Sequence, residues 1–210
     1  MNSRTESLRL AGAAGAIEAL RDAPAEGSPS RGVALICHPH PLFGGTMDNK
    51  VVQTLARAFV QCGWSAVRFN FRGVGASAGT HDEGRGEAHD LLAVIEQVAP
   101  HGPLALAGFS FGSFVASQAL AALWPTRPAG QVVFVGTAAS RFAVAALPPE
   151  AHARTLVVHG EQDDTVPLAA VLDWARPQSL PVTVVPGGGH FFHGQLPLLK
   201  SLVVRHLQVL

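Results

Sequence analysis

Short apolar runs alternate along the chain with longer segments of helical periodicity. From residue 33 onward, six runs of four or five mostly apolar residues have the length and continuity of strands that are buried on both faces. They are 33–37, 66–69, 104–107, 132–135, 156–159 and 182–185. Such runs are typical of a parallel sheet that is covered on both sides, so the pattern predicts one.

Apolar positions between these runs recur every three or four residues, which predicts crossover helices. In 48–62, for example, Val51, Leu55 and Phe59 share one helix face, and Gly63 follows as a C-terminal signal. The predicted helices are 48–62, 87–98, 111–124, 168–175 and 196–210. The alternation of strands and helices indicates an α/β fold with a mostly parallel sheet.

The segment before residue 33 has a different pattern. Residues 8–10 and 16–20 predict an antiparallel hairpin at the edge of the sheet. Residues 23–31 are rich in Pro, Gly and Ser, which predicts a mobile loop. The 210 residues suit a single domain, 1–210, built around one core.

Charge excludes some classes of partner. Only 14% of the residues are charged, and 15 basic side chains balance 15 acidic ones. Nothing in this balance attracts nucleic acid or an anionic membrane. A homo-oligomer is compatible with a net charge near zero, but the sequence does not indicate one.

Apolar stretches and cysteines indicate in which cellular compartment the protein is expected. Glu18 interrupts the weakly apolar segment 11–20, so no signal peptide is expected, and no 18-residue apolar window predicts a membrane span. Cys37 and Cys62 lie in predicted secondary structure and are interpreted as buried thiols rather than a disulfide, which suits a reducing compartment. We therefore expect a cytoplasmic protein.

A G-x-S-x-G element, residues 108–112, stands between a predicted strand and a predicted helix. The glycines allow a sharp turn that exposes Ser110, which is how a serine becomes a nucleophile. Such a serine needs a base, and the base needs an acid that orients it, in the chain order Ser, Asp or Glu, His. Both partners are expected at the same sheet edge, because ligands bind beyond the carboxyl ends of parallel strands.

Candidates for both partners follow later strands. The loop after 156–159 contains Glu161, Asp163 and Asp164, of which Asp163 is the first choice and Asp164 the second. The loop after 182–185 ends in three glycines and His190, the preferred base, with His193 as the alternative. The loop after 132–135 contains no acid before residue 141, so it offers no rival.

Acyl transfer also requires donors for the oxyanion. One is expected to be the backbone N–H of Phe111, the residue after the nucleophile. The second should come from the loop after 33–37, where Pro39 and Pro41 have no N–H. His40 is the best candidate there, with Leu42 behind it.

Two other interpretations carry less weight. His38, His40, His190 and His193 are all predicted at one sheet edge, but no Cys or carboxylate completes an obvious metal site. No metal or cofactor is therefore expected. Cys37 continues an apolar strand, so it is interpreted as a buried small hydrophobe rather than as a catalytic thiol.

Taken together, the motifs resemble the α/β-hydrolase superfamily, and within it the small bacterial hydrolases with a His-Pro-His-Pro loop. That loop is 38–41 here and continues as Leu-Phe-Gly-Gly, and 72–77 is similar to the superfamily's R-G-x-G-x-S turn. Residues 160–167 resemble its G-x-x-D-x-x-V-P acid loop, which singles out Asp163. Residues 190–194 resemble the subgroup's histidine loop, which puts the base at His190.

The resemblance implies an eight-stranded, mostly parallel sheet whose second strand is antiparallel, flanked by helices. Many members insert a lid after the sixth strand, but only 136–154 separates the two runs here, so a minimal hydrolase with no lid domain is expected. An uncovered site excludes water poorly, so we expect small or extended acyl substrates.

Together, these expectations predict a serine hydrolase that cleaves a carboxylic ester or thioester. Such a protein would be a carboxylesterase or thioesterase-like enzyme. Its substrate would be a small acyl compound, with Ser110, His190 and Asp163 as the triad. Acyl transfer to another alcohol and perhydrolysis use the same triad, so both stay open as alternatives. A non-catalytic ligand-binding or partner-binding module on the same fold is the alternative from another class, since fold does not imply function.

Overall fold

The structure, a computed structural model, describes residues 5–27 and 29–209, without the side chain of residue 209. The described residues form one eight-stranded sheet in the order β1-β2-β4-β3-β5-β6-β7-β8. Its strands are β1 (Thr5–Gly12), β2 (Gly15–Asp22), β3 (Gly32–Cys37), β4 (Trp64–Phe69), β5 (Leu104–Phe109), β6 (Gln131–Val135), β7 (Thr155–Gly160) and β8 (Val182–Val185). β2 is antiparallel to both of its neighbours, and the pairs from β4 to β8 are parallel.

Helices cover both faces of this sheet. The α-helices of the described chain are α1 (Lys50–Gln61), α2 (Arg85–Val98), α3 (Phe111–Leu123), α4 (Leu168–Ala175) and α5 (Leu196–Val209). One buried cluster joins the sheet to α2, α3 and α4, and a second joins its other face to α1 and α5. This is an α/β-hydrolase fold, and it explains why the central strands are apolar on both faces.

The six strands and the edge hairpin predicted from the pattern are all present. Helix ends differ from the prediction where side chains cap them. α1 begins at Lys50 rather than at residue 48, because the Asn49 side chain accepts the Val51 N–H at 2.8 Å. α2 begins at Arg85, two residues early, because the Glu87 carboxylate accepts the Gly84 N–H and closes the first turn.

Two predicted segments include residues that lie outside the described part of the chain. Residues 23–27 and 29–31 lack regular secondary structure, while residue 28 of the predicted loop lies outside the described residues. α5 is described to Val209, and Leu210, predicted as its end, lies outside as well.

Strand order locates the crevice of the sheet. The chain runs from β3 to β4 on one side and later places β5 on the other side of β3. Such a reversal of direction opens a crevice at the carboxyl ends of the strands. The loops that follow β3 and β5 border this crevice.

Little chain covers this edge after β6. Residues 136–154 join β6 to β7 and contain one short 3-10 helix, Pro149–Arg154, so there is no lid domain between these strands. No helix in the described ranges combines the length and the apolarity needed to cross a membrane.

Candidate active site

Ser110 occupies the tight turn between β5 and α3. Its φ of 55° and ψ of −118° are a strained combination for a residue with a side chain. Steric contacts explain the flanking glycines: a Cβ on Gly108 would lie 2.4 Å from the Gly112 carbonyl carbon, and one on Gly112 would lie 2.3 Å from the Cys37 carbonyl oxygen. A side chain at either position would therefore force the backbone of this turn to shift.

The structure brings Ser110, His190 and Asp163 into one chain of hydrogen bonds. His190 Nε2 is 3.0 Å from the Ser110 Oγ, and its Nδ1 is 2.7 Å from Asp163 Oδ2. A carboxylate only accepts, so Nδ1 carries the proton and Nε2 is free to accept the serine hydroxyl proton. All three residues are buried, including Ser110, which the sequence predicts to be exposed by the turn. Burial strengthens these bonds by limiting their contact with water.

The environment of Asp163 keeps its carboxylate ionised. Burial alone raises the pKa of Asp163, but hydrogen bonds from His190 and the Val166 N–H, together with the nearby histidines, outweigh it and hold this pKa below its usual range. Its Oδ1 accepts the Val166 N–H at 2.7 Å and the Thr165 N–H at 3.0 Å. The carboxylate is therefore fixed before any substrate arrives.

The alternative candidates lie elsewhere. Asp164 is exposed and accepts the Thr165 hydroxyl at 3.3 Å, and Glu161 accepts the Gly187 N–H at 2.9 Å. The exposed His193 stacks on Phe191, with ring centroids 5.8 Å apart. Among the described residues, neither of these carboxylates bonds to His190 and the His193 ring does not bond to Ser110.

His159 is a neighbour of Asp163 that the sequence analysis missed. Its Nε2 donates to the Val166 carbonyl at 2.9 Å and lies 3.4 Å from Asp163 Oδ2, and its Nδ1 has no partner within the described chain. Burial lowers the pKa of His159, despite the Val166 carbonyl and the Asp163 charge, so the ring is neutral. The available signal was a polar residue inside the apolar run 156–159.

The backbone N–H groups of Phe111 and His40 are the predicted oxyanion donors. Phe111 is the first residue of α3, where N–H groups have no partner inside the helix and carry the positive end of the helix dipole. In the described chain neither the Phe111 N–H nor the His40 N–H donates to a protein acceptor. The Leu42 N–H, by contrast, donates to His40 Nδ1 at 3.2 Å, so it is already engaged.

His38 has a structural environment. Its Nδ1 donates to the Pro39 carbonyl at 2.6 Å, and its Nε2 accepts the Phe71 N–H at 2.9 Å. Burial lowers the pKa of His38 to about 4 against the opposing effect of the Pro39 carbonyl, so the ring is neutral near pH 7. It ties the loop after β3 to the loop after β4.

A metal site and a catalytic thiol were the other interpretations of the residues at the carboxyl ends of the strands. No group of three or more His, Cys, Asp or Glu in the described residues is arranged to hold a metal ion. Cys37 and Cys62 are free thiols, and Cys62 is half-buried rather than buried as expected. Burial raises the pKa of the fully buried Cys37 far above its ordinary value, so this thiol is unreactive.

Ser110 and His190 line a cleft of about 320 Å³. Two aromatic side chains at its wall are exposed, Phe43 by 76% and Phe191 by 43%. Phe109 and Phe111 are fully buried in the core instead. The remaining lining residues are Pro39, His40, Gly44, Gly45, Asn49, Arg141 and Thr165, of which Asn49, Arg141 and Thr165 have polar side chains that the sequence analysis did not single out.

Comparisons with known proteins agree with the fold. The family described as serine aminopeptidase, S33, matches residues 28–141. A crystal structure from Xanthomonas campestris, described as an α/β serine hydrolase without lid, is 35% identical in sequence, with a TM-score of 0.87. The match covers 99% of this chain and 95% of the Xanthomonas chain. An alpha-beta serine hydrolase homologue from Coxiella burnetii is 39% identical with a TM-score of 0.81, covering 96% and 97%.

One curated relative matches over a shorter stretch. An uncharacterized protein of Rickettsia prowazekii (strain Madrid E) is 43% identical over 95 residues. These residues are 43% of this chain and 40% of the Rickettsia protein, so less than half of either chain is aligned.

Proposed function

The chain belongs to the α/β serine hydrolases of the S33 serine aminopeptidase family, and from this premise we propose that it cleaves a carboxylic ester or thioester through a Ser-His-Asp triad. One observation carries the proposal: the continuous hydrogen bonds from Ser110 Oγ to His190 and from His190 to Asp163. The 3.0 Å between Ser110 and His190 is within reach for proton transfer, and the 2.7 Å between His190 and Asp163 fits a hydrogen bond that orients the imidazole.

The proposed reaction has two halves. Ser110 Oγ attacks the acyl carbonyl while His190 Nε2 takes the hydroxyl proton, and Asp163 stabilises the imidazolium that forms. His190 then gives this proton to the departing alcohol or thiol, which leaves an acyl-enzyme. Water, deprotonated by His190, attacks the acyl-enzyme and releases the acid and the serine hydroxyl.

Negative charge develops on the carbonyl oxygen in both halves. We assign its stabilisation to the N–H groups of Phe111 and His40, each worth about 3 to 4 kcal/mol in the transition state. Support comes from the place of Phe111 directly after Ser110, from His40 lining the same cleft as Ser110, and from the absence of a protein acceptor for either N–H within the described residues.

Ester or thioester cleavage is favoured over aminopeptidase activity by the charges in the cleft. An aminopeptidase has to bind the ammonium group of a peptide N-terminus, for which a carboxylate is the natural partner. Among the described lining residues there is no Asp or Glu, and the one side chain with a permanent charge is the cation Arg141. The segment that joins β6 to β7 contains no accessory domain that could cover the cleft and hold a polypeptide.

A fluorophosphonate probe, which reacts with activated serines, tests the proposal. We expect stoichiometric labelling of the folded protein, none of Ser110→Ala, and full labelling of Ser201→Ala, a matched change at an exposed serine on α5. On a 4-nitrophenyl ester, Ser110→Ala should lower kcat by about 10⁴-fold or more. A folded wild-type protein that takes up no probe would contradict the proposal and favour a binding module.

A further inference from the structure

Arg141 lies in the same cleft as Ser110 and His190. It belongs to the segment between β6 and β7, and its backbone N–H donates to the Ala138 carbonyl at 3.2 Å. The next residue, Phe142, stacks on Phe114 of α3, with ring centroids 4.9 Å apart and an interplanar angle of 16°. The core therefore anchors the backbone of Arg141, while its side chain is exposed toward the cleft.

The charge of Arg141 has no partner within the described chain. Five other arginines there form ion pairs with Asp or Glu: Arg21, Arg68, Arg72, Arg85 and Arg176. Arg141 forms none, and no acidic side chain of the described residues lines the cleft. The Asp163 carboxylate lies behind His190, and its oxygens already accept hydrogen bonds.

The Arg141 charge acts on groups inside the cleft. Burial is the main cause that lowers the pKa of His40, and His81 and Arg141 lower it further against the opposing charge of Glu87. His40 lines this cleft together with Ser110. The field of the guanidinium thus reaches the place where a bound acyl group would lie.

We propose that the cleft takes an ester or thioester bearing a carboxylate, and that Arg141 determines this specificity by pairing with the carboxylate. The inference rests on the proposed function of the same site. A guanidinium matches a carboxylate with two parallel N–H donors, and pairing is stronger in a cleft than on open surface. Phe43 and Phe191 suit the apolar part of such a substrate.

Paired substrates test the proposal. In one arm, 4-nitrophenyl half-esters of dicarboxylic acids with five to eight carbons are compared with neutral 4-nitrophenyl esters of equal chain length. In the other arm, 5-acyloxy-2-nitrobenzoates, which carry the carboxylate on the leaving group, are compared with 4-nitrophenyl esters of the same acyl group. The two arms distinguish a carboxylate on the acyl side from one on the leaving group.

The measured quantity is the ratio of kcat/KM for the anionic and the neutral ester. In at least one pair we expect Arg141→Gln to lower this ratio by about fivefold or more, the effect of one partly exposed ion pair. Arg141→Lys should keep part of the preference, because it keeps the charge but not the fork. Salt should reduce the wild-type ratio.

Arg127→Gln is the matched control. It also removes one arginine charge, but in the segment before β6, at the amino ends of the strands and away from the cleft. Its ratios should equal those of the wild type. If Ser110-dependent hydrolysis proceeds with the same ratio in wild type and Arg141→Gln for every pair, the inference is overturned while the proposed function stands. If the folded protein takes up no fluorophosphonate and cleaves no ester, both are overturned.

Discussion

Asp163 and Asp164 are neighbours in one loop but have different environments. Asp163 is buried and bonded to His190, with its pKa held below the usual range, whereas Asp164 is exposed. Because the imidazolium formed during proton transfer needs a carboxylate at Nδ1, we expect Asp163→Asn to lower kcat by about 10⁴-fold. Asp164→Asn should stay within about twofold, as surface changes usually do.

Steady-state hydrolysis of a 4-nitrophenyl ester measures both variants. Thermal unfolding serves as the control that each variant is folded at the assay temperature. An equal loss in the two variants, or a larger loss in Asp164→Asn, would assign the orienting acid differently.

At the residue scale, the sequence could indicate those site residues that lie in a loop directly after a strand. Ser110 and His190 each follow an apolar run directly or after a few glycines, so their place at the crevice follows from the sheet. Arg141 was missed because its approach to the cleft depends on Phe142 packing against Phe114 of α3, a contact between distant segments. His159 was missed because the direction of a strand side chain depends on which strands lie beside it.

At the scale of elements, the junction of β5 and α3 also positions the neighbouring strand. A methyl group on Gly112 would lie 2.3 Å from the Cys37 carbonyl oxygen at the end of β3. We therefore expect Gly112→Ala to lower the free energy of unfolding by about 2 to 3 kcal/mol, because α3 has to move away from the sheet. Turnover should fall as well, since the same movement displaces Ser110.

Gly130→Ala is the control for this change. The nearest atom to its added Cβ is the Leu104 carbonyl oxygen at 3.6 Å, an ordinary contact. Its unfolding free energy should remain within about 0.5 kcal/mol of the wild type in urea titrations. Equal stability of the two alanine variants would show that the junction tolerates a side chain.

Element prediction depended on the length of each pattern. The strands are continuous in their hydrophobicity, and the sheet confirms all six, because burial on both faces leaves a strong local signal. The helix starts were less accurate, since they depend on hydrogen bonds of single side chains, such as Asn49 at α1 and Glu87 at α2. Strand order leaves no local signal. The pattern placed the hairpin of β1 and β2 at the edge of the sheet, and the family resemblance implied that the second strand is antiparallel.

The stability of the whole molecule should depend on pH through His38. Its pKa is about 4 in the folded protein, compared with 6.5 in an unfolded chain. Between these values the unfolded state binds more protons, so the free energy of unfolding falls as the pH is lowered from about 7 toward 4. The pKa difference corresponds to about 3 kcal/mol when the descent is complete.

His38→Gln isolates this contribution. Glutamine can still accept the Phe71 N–H but does not titrate, so we expect its stability to decline by about 2 to 3 kcal/mol less than that of the wild type between pH 7.5 and 4.5. Urea unfolding at the two pH values provides the measurement. His159 and His206, whose pKa values burial also lowers, are present in both proteins and cancel in the comparison. Parallel declines would place the proton uptake elsewhere.

The hydrogen bond between Ser110 and His190 joins residues 80 positions apart. A ribosome adds roughly 5 to 20 residues per second, so Ser110 is added to the chain about 4 to 16 s before His190. Throughout that interval the growing chain carries a strand, a turn and a hydroxyl without a base. In the proposed mechanism Ser110 is therefore not activated during synthesis until His190, which follows β8, has been added and the sheet has brought the two residues together.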